Sequence, residues 1–424
     1  MPTRLLYLLA ALLGALALAA TAAAAEYVPG EVVVGYQDGT SSTIRIEHEQ
    51  SVPEAAKELR RDPKVAYAVP NYVAHAASQF TPNDPELPRQ WNFIGRFGIG
   101  MPEAWSLAEA AGAPGGRGAV VAVIDSGVAF ENYGGFRRAP DLRRSTFVHP
   151  WDFVDGDRHP NDKFGHGTHV TGTVAQATNN GLGVAGVAYG VRIMPLKVLD
   201  DFGKGDSVTI AKAIRYAARR GADVLNLSLL FDPRVVAAEI PEIRAAIRYA
   251  HGRGAVIVAA AGNYEPGHLR RVAYPARATE VIAVGATTRR GCRSAFSSYG
   301  ADLDLVAPGG GVDSVPATRR EEALCHPERW GSGVYQETFI HENVRAFGLP
   351  GGYEGTSMAS PHVAGIAALI VATRRLGGHP SPSQVQAHIQ ATARDLGRAG
   401  FDSRYGWGLV NAARALRCPP YTAC

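Results

Sequence analysis

Three polar side chains of different chemistry stand at the ends of apolar stretches in this sequence. Asp125 ends the apolar run of VVAVIDSGV, and His166 lies in the glycine-bracketed turn of DKFGHGTHV. Ser357 precedes a long helix pattern in GTSMASPHVAGIAALI, with Pro361 expected in the first turn of that helix. A carboxylate, an imidazole and a hydroxyl are the groups that nucleophilic acyl transfer needs, if the fold brings them together.

The elements that must position these groups alternate between strands and helices. Apolar strand runs are predicted at 120–124, 192–198, 224–227, 256–260 and 281–284. Residues 208–219 between them keep an apolar face at helical spacing. Continuous apolar strands separated by helices predict an α/β fold, a parallel β-sheet with helices on both faces. In such sheets the chemistry gathers at the carboxyl ends of the strands, where all three groups are expected.

At these residues the chain resembles the subtilisin-like serine proteases. The segments AVIDSGV, GHGTHVTGTVA and GTSMASPHVAGIAALI are similar to the Asp, His and Ser boxes of that family. VAAAGN, VIAVGAT, FSSYGADLDLVAPG and YGWGLVNAARAL also resemble it in order, so the likeness covers roughly residues 80–416. The chain order Asp, His, Ser is that of subtilisin. The resemblance implies a serine endopeptidase that needs no cofactor for catalysis and acts on proteins or peptides.

The resemblance also implies a role for each catalytic residue. Ser357 would attack the scissile carbonyl, His166 would take and return the proton, and Asp125 would orient the imidazole. Asn263 and the Ser357 backbone N–H would donate to the oxyanion. Taken singly, an Asp or Ser here could be a helix cap and Asn263 a turn former. A binding scaffold without activity is less favoured because all four residues are present. An acyl transferase is less favoured because it would need to exclude water and no domain dedicated to that is visible.

The substrate cleft departs from the family pattern. The resemblance places substrate-binding positions at Ser228, Leu229, Leu230, Ala260, Ala261 and Gly262. Leu230 and Phe231 stand where the family usually has two glycines, and Ala273 is another position near the pocket floor. Large side chains there would crowd the primary specificity pocket or reshape a neighbouring subsite, and they predict a preference for small or medium apolar residues.

The first 77 residues are predicted to be removed. Residues 1–25 have the basic start, Leu/Ala run and small-residue end of a signal peptide, which predicts a secreted or periplasmic protein. An uncleaved membrane anchor is the alternative, since the run is just long enough to span. Residues 26–77 resemble the family's inhibitory propeptide, as a small α+β unit shorter by one helix and one strand. Cleavage is expected between Ala74 and Phe80, leaving 78–424 as the catalytic domain.

The four cysteines suggest disulfides in an exported protein. They allow three pairings, and the short separations favour Cys292–Cys325 and Cys418–Cys424. No CxxC or His-flanked spacing suggests zinc.

A structural Ca²⁺ is possible at two places. Asp152, Asp155 and Asp157, with Asp162 nearby, offer hard oxygen ligands and resemble a calcium loop of thermitase-like members. The alternative is a solvated acidic turn. A second family site would lie near Asn179 and Asn180.

Composition and the remaining segments exclude several other functions. The net charge of +4 and the absence of a long basic run give no reason to expect a nucleic-acid partner. Beyond the N-terminal run no stretch reaches transmembrane length, so we expect no stable membrane association. We also expect a monomer.

Residues 181–186 match GxGxxG, but a helix pattern precedes them and a strand pattern follows, which excludes the dinucleotide fingerprint. Residues 311–350 are expected to form a surface excursion near the cleft.

Overall fold

The computed structural model describes residues 27–46, 50–72, 80–264, 271–341 and 343–424. The chain divides into two compact units, one ending at Ser78 and the other running from Gln79 to Cys424. The predicted signal peptide, 1–25, lies outside the described residues. Among the helices of the described ranges, none is both long and apolar enough to cross a membrane.

The N-terminal unit is a small antiparallel sheet with one helix. Its elements in chain order are β1 Tyr27–Tyr36, β2 Ser41–Arg45, α1 Val52–Leu59 and β3 Val65–Tyr72. β1 lies between the other two strands. Val32 and Val34 point to one face of β1, because side chains two apart share a face, and they pack with Ala55 and Ala56 of α1. This is the α+β architecture predicted from the sequence.

The second unit carries all the residues assigned to chemistry. Its strands are β4 Val120–Asp125, β5 Thr146–Phe147, β6 Trp151–Asp152, β7 Arg192–Lys197, β8 Val224–Leu227, β9 Val256–Ala260, β10 Val281–Thr287, β11 Leu305–Pro308, β12 Thr338–Ile340 and β13 Asn343–Gly348. Its helices are α2 Trp91–Ile94, α3 Met101–Ala110, α4 His166–Ala175, α5 Ser207–Arg219, α6 Pro241–Gly252, α7 Arg319–Glu322, α8 Thr356–Ala372, α9 Pro382–Thr392 and α10 Ala412–Arg417.

The main sheet is parallel, and its strand order reverses direction at β4. Within the described residues it has eight strands, in the order β11-β10-β9-β8-β4-β7-β5 with β6 beside β7. β4 pairs with β7 on one side and with β8 on the other. A crevice forms beyond the carboxyl ends of strands at such a reversal. Asp125, the last residue of β4, therefore stands at the edge of that crevice.

Helices cover both faces of this sheet, as the sequence predicted. Ile210 and Ile214 of α5 and Ile243 of α6 pack on one face. On the other face α4 and α8 contribute Val170 and Val363, together with residues of α3, α9 and α10. Alternate residues of β4 enter the two cores, which is why the strand reads as continuously apolar. The predicted fold class is confirmed.

The segment 311–350 is only partly a surface excursion. Trp330 is 95% exposed, as expected for a protruding loop. Val334, Gln336 and Thr338 are instead fully buried, and β12 pairs with β13 in a short antiparallel hairpin. The expectation of an exposed excursion is therefore wrong for 334–338, because these residues pack against α4.

Two disulfides are present, Cys292–Cys325 and Cys418–Cys424. This is the pairing that the short separations favoured. The first bond joins the loop after β10 to the segment 311–350, across 33 residues of chain. The second closes a small loop at the C-terminus.

Candidate active site

Asp125 and His166 meet in the crevice through a short hydrogen bond. The Nδ1 atom of His166 lies 2.7 Å from Oδ1 of Asp125, which also accepts the N–H of Ser126 at 2.7 Å. Asp125 is 1% exposed because it ends a buried strand. His166 is the first residue of α4, after Gly165 with a φ of +88°. Since Nδ1 donates to the carboxylate, Nε2 is the acceptor atom of the neutral imidazole.

The charge of the site favours the protonated imidazole. Burial lowers the pKa of His166, and the negative charges of Asp125 and Asp162 raise it by more, so the pKa lies above its ordinary 6.5. A neutral imidazole is required of a general base, so the site would work as a base only above that raised pKa.

Asp162 organises the turn that carries His166. Its carboxylate is fully buried and accepts hydrogen bonds from Ser126 Oγ at 3.0 Å, Gly165 N at 2.9 Å and Thr168 N at 2.9 Å. It therefore satisfies free N–H groups at the start of α4 and adds a second negative charge near the imidazole. Sequence analysis treated Asp162 only as a neighbour of an acidic loop. The N-cap position of α4 is Gly165, so no local capping pattern in the sequence marked Asp162.

Ser357 lies in the first turn of α8, two residues after a glycine that the backbone requires. Gly355 has a φ of +151° and a ψ of 163°, a conformation essentially restricted to glycine. The Ser357 hydroxyl donates to the backbone carbonyl of Ser228 at 3.1 Å. No hydrogen bond joins it to His166 in the described part of the chain. Catalytic hydrogen bonds are often formed only when substrate is bound, so this arrangement is compatible with a nucleophile.

A side-chain network holds the start of α8. Pro361 is the sixth residue of this helix rather than a first-turn residue, so the expected register is wrong. Because proline has no N–H, the carbonyl of Ser357 loses its helical donor. Ser228 Oγ donates to that carbonyl at 2.8 Å and lies 2.8 Å from Ser360 Oγ. Asn226 closes the network by donating to Ser228 Oγ and accepting from Ser360.

Asn263 presents its amide nitrogen outward. Its Oδ1 accepts two hydrogen bonds from Thr356, one from the backbone N at 2.9 Å and one from Oγ1 at 3.0 Å. Thr356 Oγ1 in turn accepts from the N–H of Gly262. Because a backbone N–H can only donate, the buried end of the amide must be the oxygen. Nδ2 is therefore available to a group in front of Ser357.

One cavity of about 500 Å³ adjoins His166. It brings together His166 and three of the predicted substrate-binding residues, Ser228, Leu229 and Leu230. Its lining is Phe164, His166, Leu199, Gly203, Lys204, Gly205, Ile210, Ser228, Leu229, Leu230 and Phe231.

The other three predicted substrate-binding residues, Ala260, Ala261 and Gly262, do not line this cavity. Ala261 uses its N–H and its carbonyl in bonds to Val284 and Ala273. All three residues are buried.

The buried part of the 311–350 segment supports the histidine turn. Thr338 Oγ1 donates to the carbonyl of Gly165 at 2.5 Å, immediately before His166. His169 Nε2 donates to the carbonyl of Val334 at 3.1 Å and stacks on Tyr353. Burial lowers the pKa of His169 to about 3, so its ring is neutral and serves packing rather than proton transfer. A segment distant in sequence thus fixes the helix that carries His166.

The acidic loop at 152–157 does not form a common set of metal ligands. Asp152 Oδ1 accepts the N–H groups of Val154 and Asp155, and Asp157 Oδ1 accepts the N–H of His159. Across the described ranges, no three acidic, histidine or cysteine side chains are placed to hold a metal ion. The geometry at this loop is that of a hydrogen-bonded turn.

Comparison with known proteins agrees with this arrangement. A model described as the Subtilase family, Peptidase_S8, matches residues 116–408. Thermitase from Thermoactinomyces vulgaris is 35% identical over 339 residues, which are 80% of this chain and 100% of thermitase. Thermophilic serine proteinase from a Bacillus species is 35% identical over 387 residues, 91% of this chain and 81% of that protein.

Among solved structures, the proteases of Pseudoalteromonas arctica align with a TM-score of 0.62 at 31% identity. The alignment covers 80% of this chain and 99% of that one. These matches cover most of this chain and most of each relative, and they therefore establish the family. The chain therefore belongs to the subtilase family and is a serine endopeptidase.

Proposed function

We propose that Asp125, His166 and Ser357 form the catalytic triad and that Asn263 completes the oxyanion hole. The observation that carries this proposal is the 2.7 Å hydrogen bond between His166 and a buried Asp125 at the strand-order reversal of the sheet. It is supported by the position of Ser357 at the start of α8, hydrogen-bonded to Ser228, which lines the cavity next to His166.

The chemistry follows from the atoms each residue offers. Nε2 of neutral His166 takes the proton of the Ser357 hydroxyl as its oxygen attacks the scissile carbonyl. The same nitrogen then protonates the leaving amine, and water repeats the sequence to release the acyl group. Asp125 keeps the proton on Nδ1 and stabilises the imidazolium. The Ser357 N–H, one of the free amides of the first turn, and Asn263 Nδ2 donate to the oxyanion.

The chain is proposed to be a secreted zymogen. Residues 1–25 supply the signal peptide and the unit up to about residue 77 the propeptide. Cleavage is expected between Ala74 and Phe80, and residues 73–79 lie outside the described residues. At its end, the Phe80 N–H donates to Ser106 Oγ at 2.7 Å, and its ring packs against Trp105 and Tyr189. Cleavage before Phe80 therefore leaves the catalytic unit's packing intact.

The proposed substrates are proteins and peptides with a small or medium apolar residue before the scissile bond. Leu230 is 36% exposed and lines the cavity beside His166 together with Phe231. Side chains at these positions occupy space that glycines would leave open. A peptide library in which cleavage after Phe, Tyr or charged residues dominates would contradict this preference.

A structural Ca²⁺ is proposed at the second predicted place, the loop of Asn179 and Asn180. Burial raises the pKa of Asp84 and raises that of Asp141 to about 7. Asn180 donates to Asp141 Oδ1, and its own Oδ1 accepts the N–H of Leu182. The N–H groups of Asn179 and Asn180 donate to Asp84, which brings that carboxylate to the same loop. A bound cation would offset the cost of burying two carboxylates, and oxygens are the ligands that Ca²⁺ prefers. Asp84, Asp141 and Asn180 would hold it, and its effect would be on stability.

A fluorophosphonate probe tests the enzyme claim directly, because it reacts with an activated serine. The mature protein is expected to be labelled, and the Ser357→Ala variant is not. Full-length Ser357→Ala should also persist during expression while the wild-type chain shortens by about the length of the propeptide. An unlabelled, correctly folded wild type would overturn the proposed triad.

A further inference from the structure

A second cavity lies away from the catalytic residues, where the 311–350 segment meets the loop after β10. It encloses about 500 Å³, within the range of ligand sites, and we call it the arginine pocket. Its lining includes Arg96, Phe97, Arg289, Arg290, His326 and Trp330. Arginine and histidine line it, and no acidic side chain does.

The positive charge of this pocket is only partly neutralised. Arg290 pairs with Asp313 at 3.2 Å, and Arg329 lies 3.7 Å from Glu328. Within the described ranges no carboxylate pairs with Arg96 or Arg289, and both side chains are exposed. Two unpaired guanidinium groups at one cavity favour an anionic occupant.

Further arginines lie behind the lining. The guanidinium carbon of Arg394 lies 4.8 Å from the centre of the Phe97 ring, and that of Arg96 lies 5.3 Å from it. Partial burial lowers the pKa of Arg394, and the charges of Arg320 and Arg96 lower it further. Like charges therefore repel one another across this region, and an anion bound here would relieve that repulsion.

The walls of the pocket are held in place before any ligand arrives. The buried Cys292–Cys325 disulfide ties the two sides together. Asp313, 1% exposed, accepts from Thr288 Oγ1 at 2.5 Å and from the backbone N of His326 at 2.7 Å. A cavity that is already ordered costs less conformational entropy on binding.

Trp330 adds an apolar surface at the mouth of the pocket. Its side chain is 95% exposed, whereas tryptophan usually buries most of its large surface. An exposed aromatic ring beside guanidinium groups is typical of recognition surfaces, where aromatic residues and arginine are enriched.

The pocket is connected to the serine box through the backbone. Ser332 lies in its wall, and two residues later Val334 donates to the carbonyl of Tyr353 at 2.8 Å. The N–H of Gly355 donates to the carbonyl of Gly309, close to Gly311 in the wall. The wall of the pocket and the segment that leads into Ser357 are therefore joined by main-chain hydrogen bonds.

We propose that the arginine pocket is an exosite that binds an acidic segment of a protein substrate, with carboxylates on Arg96 and Arg289 and an apolar side chain on Trp330. This inference rests on the proposed protease function, because it assigns the occupant to the substrate. Arginine forms bidentate pairs with carboxylates, which suits a segment rich in Asp or Glu. A nucleic acid is less favoured, because the site is a compact cavity and the chain's net charge is only +4.

Binding is tested on the full chain carrying Ser357→Ala, so that nothing is digested. Fluorescein-labelled hexaglutamate and hexaglutamine are titrated, with fluorescence anisotropy as the readout. Hexaglutamate should bind, hexaglutamine should bind at least tenfold more weakly, and added salt should weaken the difference. Arg96→Gln with Arg289→Gln should reduce hexaglutamate affinity at least tenfold, and Trp330→Ala should reduce it less.

The matched control removes the same charge elsewhere. Arg219→Gln with Arg248→Gln changes two exposed arginines on α5 and α6 and should leave hexaglutamate affinity unchanged. Equal losses in the two double variants, or no binding of hexaglutamate at all, would overturn the exosite. Tighter binding of oligothymidylate or a heparin fragment, lost in Arg96→Gln with Arg289→Gln, would also overturn it in favour of another polyanion.

Hydrolysis then separates the exosite from the proposed catalytic site. Two peptides with one cleavage sequence carry either a Glu-rich or a Gln-rich extension, and kcat/KM is compared for each. The wild type should favour the acidic extension, and Arg96→Gln with Arg289→Gln should lose that preference while cleaving the Gln peptide normally. Failure of the triad would abolish both rates yet leave hexaglutamate binding in place. Equal wild-type rates on the two peptides would overturn the substrate role of the pocket.

Discussion

Ser228 donates its side-chain hydrogen bond to the main-chain carbonyl of Ser357, at 2.8 Å. The acceptor is available because Pro361 cannot supply the helical N–H. At the same time the carbonyl of Ser228 accepts the Ser357 hydroxyl at 3.1 Å. The two serines therefore hold each other reciprocally, and Ser228, the residue after β8, contacts both the hydroxyl and the carbonyl of the proposed nucleophile.

Ser228→Ala should lower the free energy of unfolding by about 1–3 kcal/mol, because the buried Ser357 carbonyl is left without a donor. Adding Pro361→Ala should restore part of the loss, since the alanine N–H can reach that carbonyl in helical geometry. Denaturant unfolding of the inactive Ser357→Ala background measures both. An equal loss in the single and the double variant would show that the carbonyl is not the group that matters.

The pH dependence of activity should follow the raised pKa of His166. The base must be neutral, so kcat/KM should fall as the pH drops through a midpoint above 6.5. Asp162→Asn removes a negative charge that favours the imidazolium, so the midpoint should move to lower pH. Initial rates on a neutral peptide from pH 5 to 9 give the profile, and the melting temperature checks the fold. A lower melting temperature with an unmoved midpoint would make Asp162 purely structural.

Asn263→Ala should reduce kcat by about 10²–10³, the loss known for such an amide in subtilisin, with KM little changed. Thr356→Val should also reduce kcat, by a smaller factor, because it removes the hydroxyl that orients Asn263 through Oδ1. Thr356→Ser keeps that hydroxyl and serves as the control, with kcat near wild type. If Thr356→Val and Thr356→Ser have equal kcat values, the hydroxyl does not orient the amide.

Leu230→Gly should widen the range of residues cleaved, because it removes a side chain that lines the cavity beside His166. Cleavage after Phe relative to Ala should rise at least tenfold, while the rate after Ala changes little. A peptide library that varies the residue before the scissile bond measures the ratio. Val236→Gly, an exposed residue outside the cavity lining, is the control and should leave the ratio unchanged.

Calcium should raise the melting temperature of the mature protein, and EDTA should lower it. At a hundredfold excess over Kd the gain would be about 2.7 kcal/mol. Asp141→Asn should abolish the calcium effect, whereas Asp155→Asn should retain it, because only the former alters the buried carboxylate pair of the 179–180 loop. A calcium shift that survives Asp141→Asn but not Asp155→Asn would place the ion at the acidic loop instead.

Most of the fold could be predicted from the sequence, because strands that are buried on both faces appear as continuous apolar runs. β8 and β9 begin and end where the apolar runs predict. β10 extends three residues beyond its predicted end, since pairing with β11 continues to Thr287. The burial of 334–338 could not be predicted, because it depends on hydrogen bonds to α4 from a segment about 170 residues away.

The residue types of the candidate site could be predicted from the sequence, but most of its geometry could not. The sequence boxes located Asp125, His166 and Ser357, but they carried no sign that the Ser357 hydroxyl turns to Ser228 in the free protein. The start of α8 was misplaced relative to Pro361, because the contact between Thr356 and Asn263 decides where the helix begins. Tertiary contacts of this kind leave no local pattern in the sequence.

The contact between Thr338 and Gly165 has a consequence for protein engineering. Exposed loops tolerate insertions, so they are suitable places to graft a foreign recognition sequence. The exposed stretch around Trp330 can therefore be exchanged or lengthened. The graft must end before Val334, because the next few residues contact the turn and helix that carry His166. A donor loop that shifts them by one residue would slow the enzyme without touching its triad.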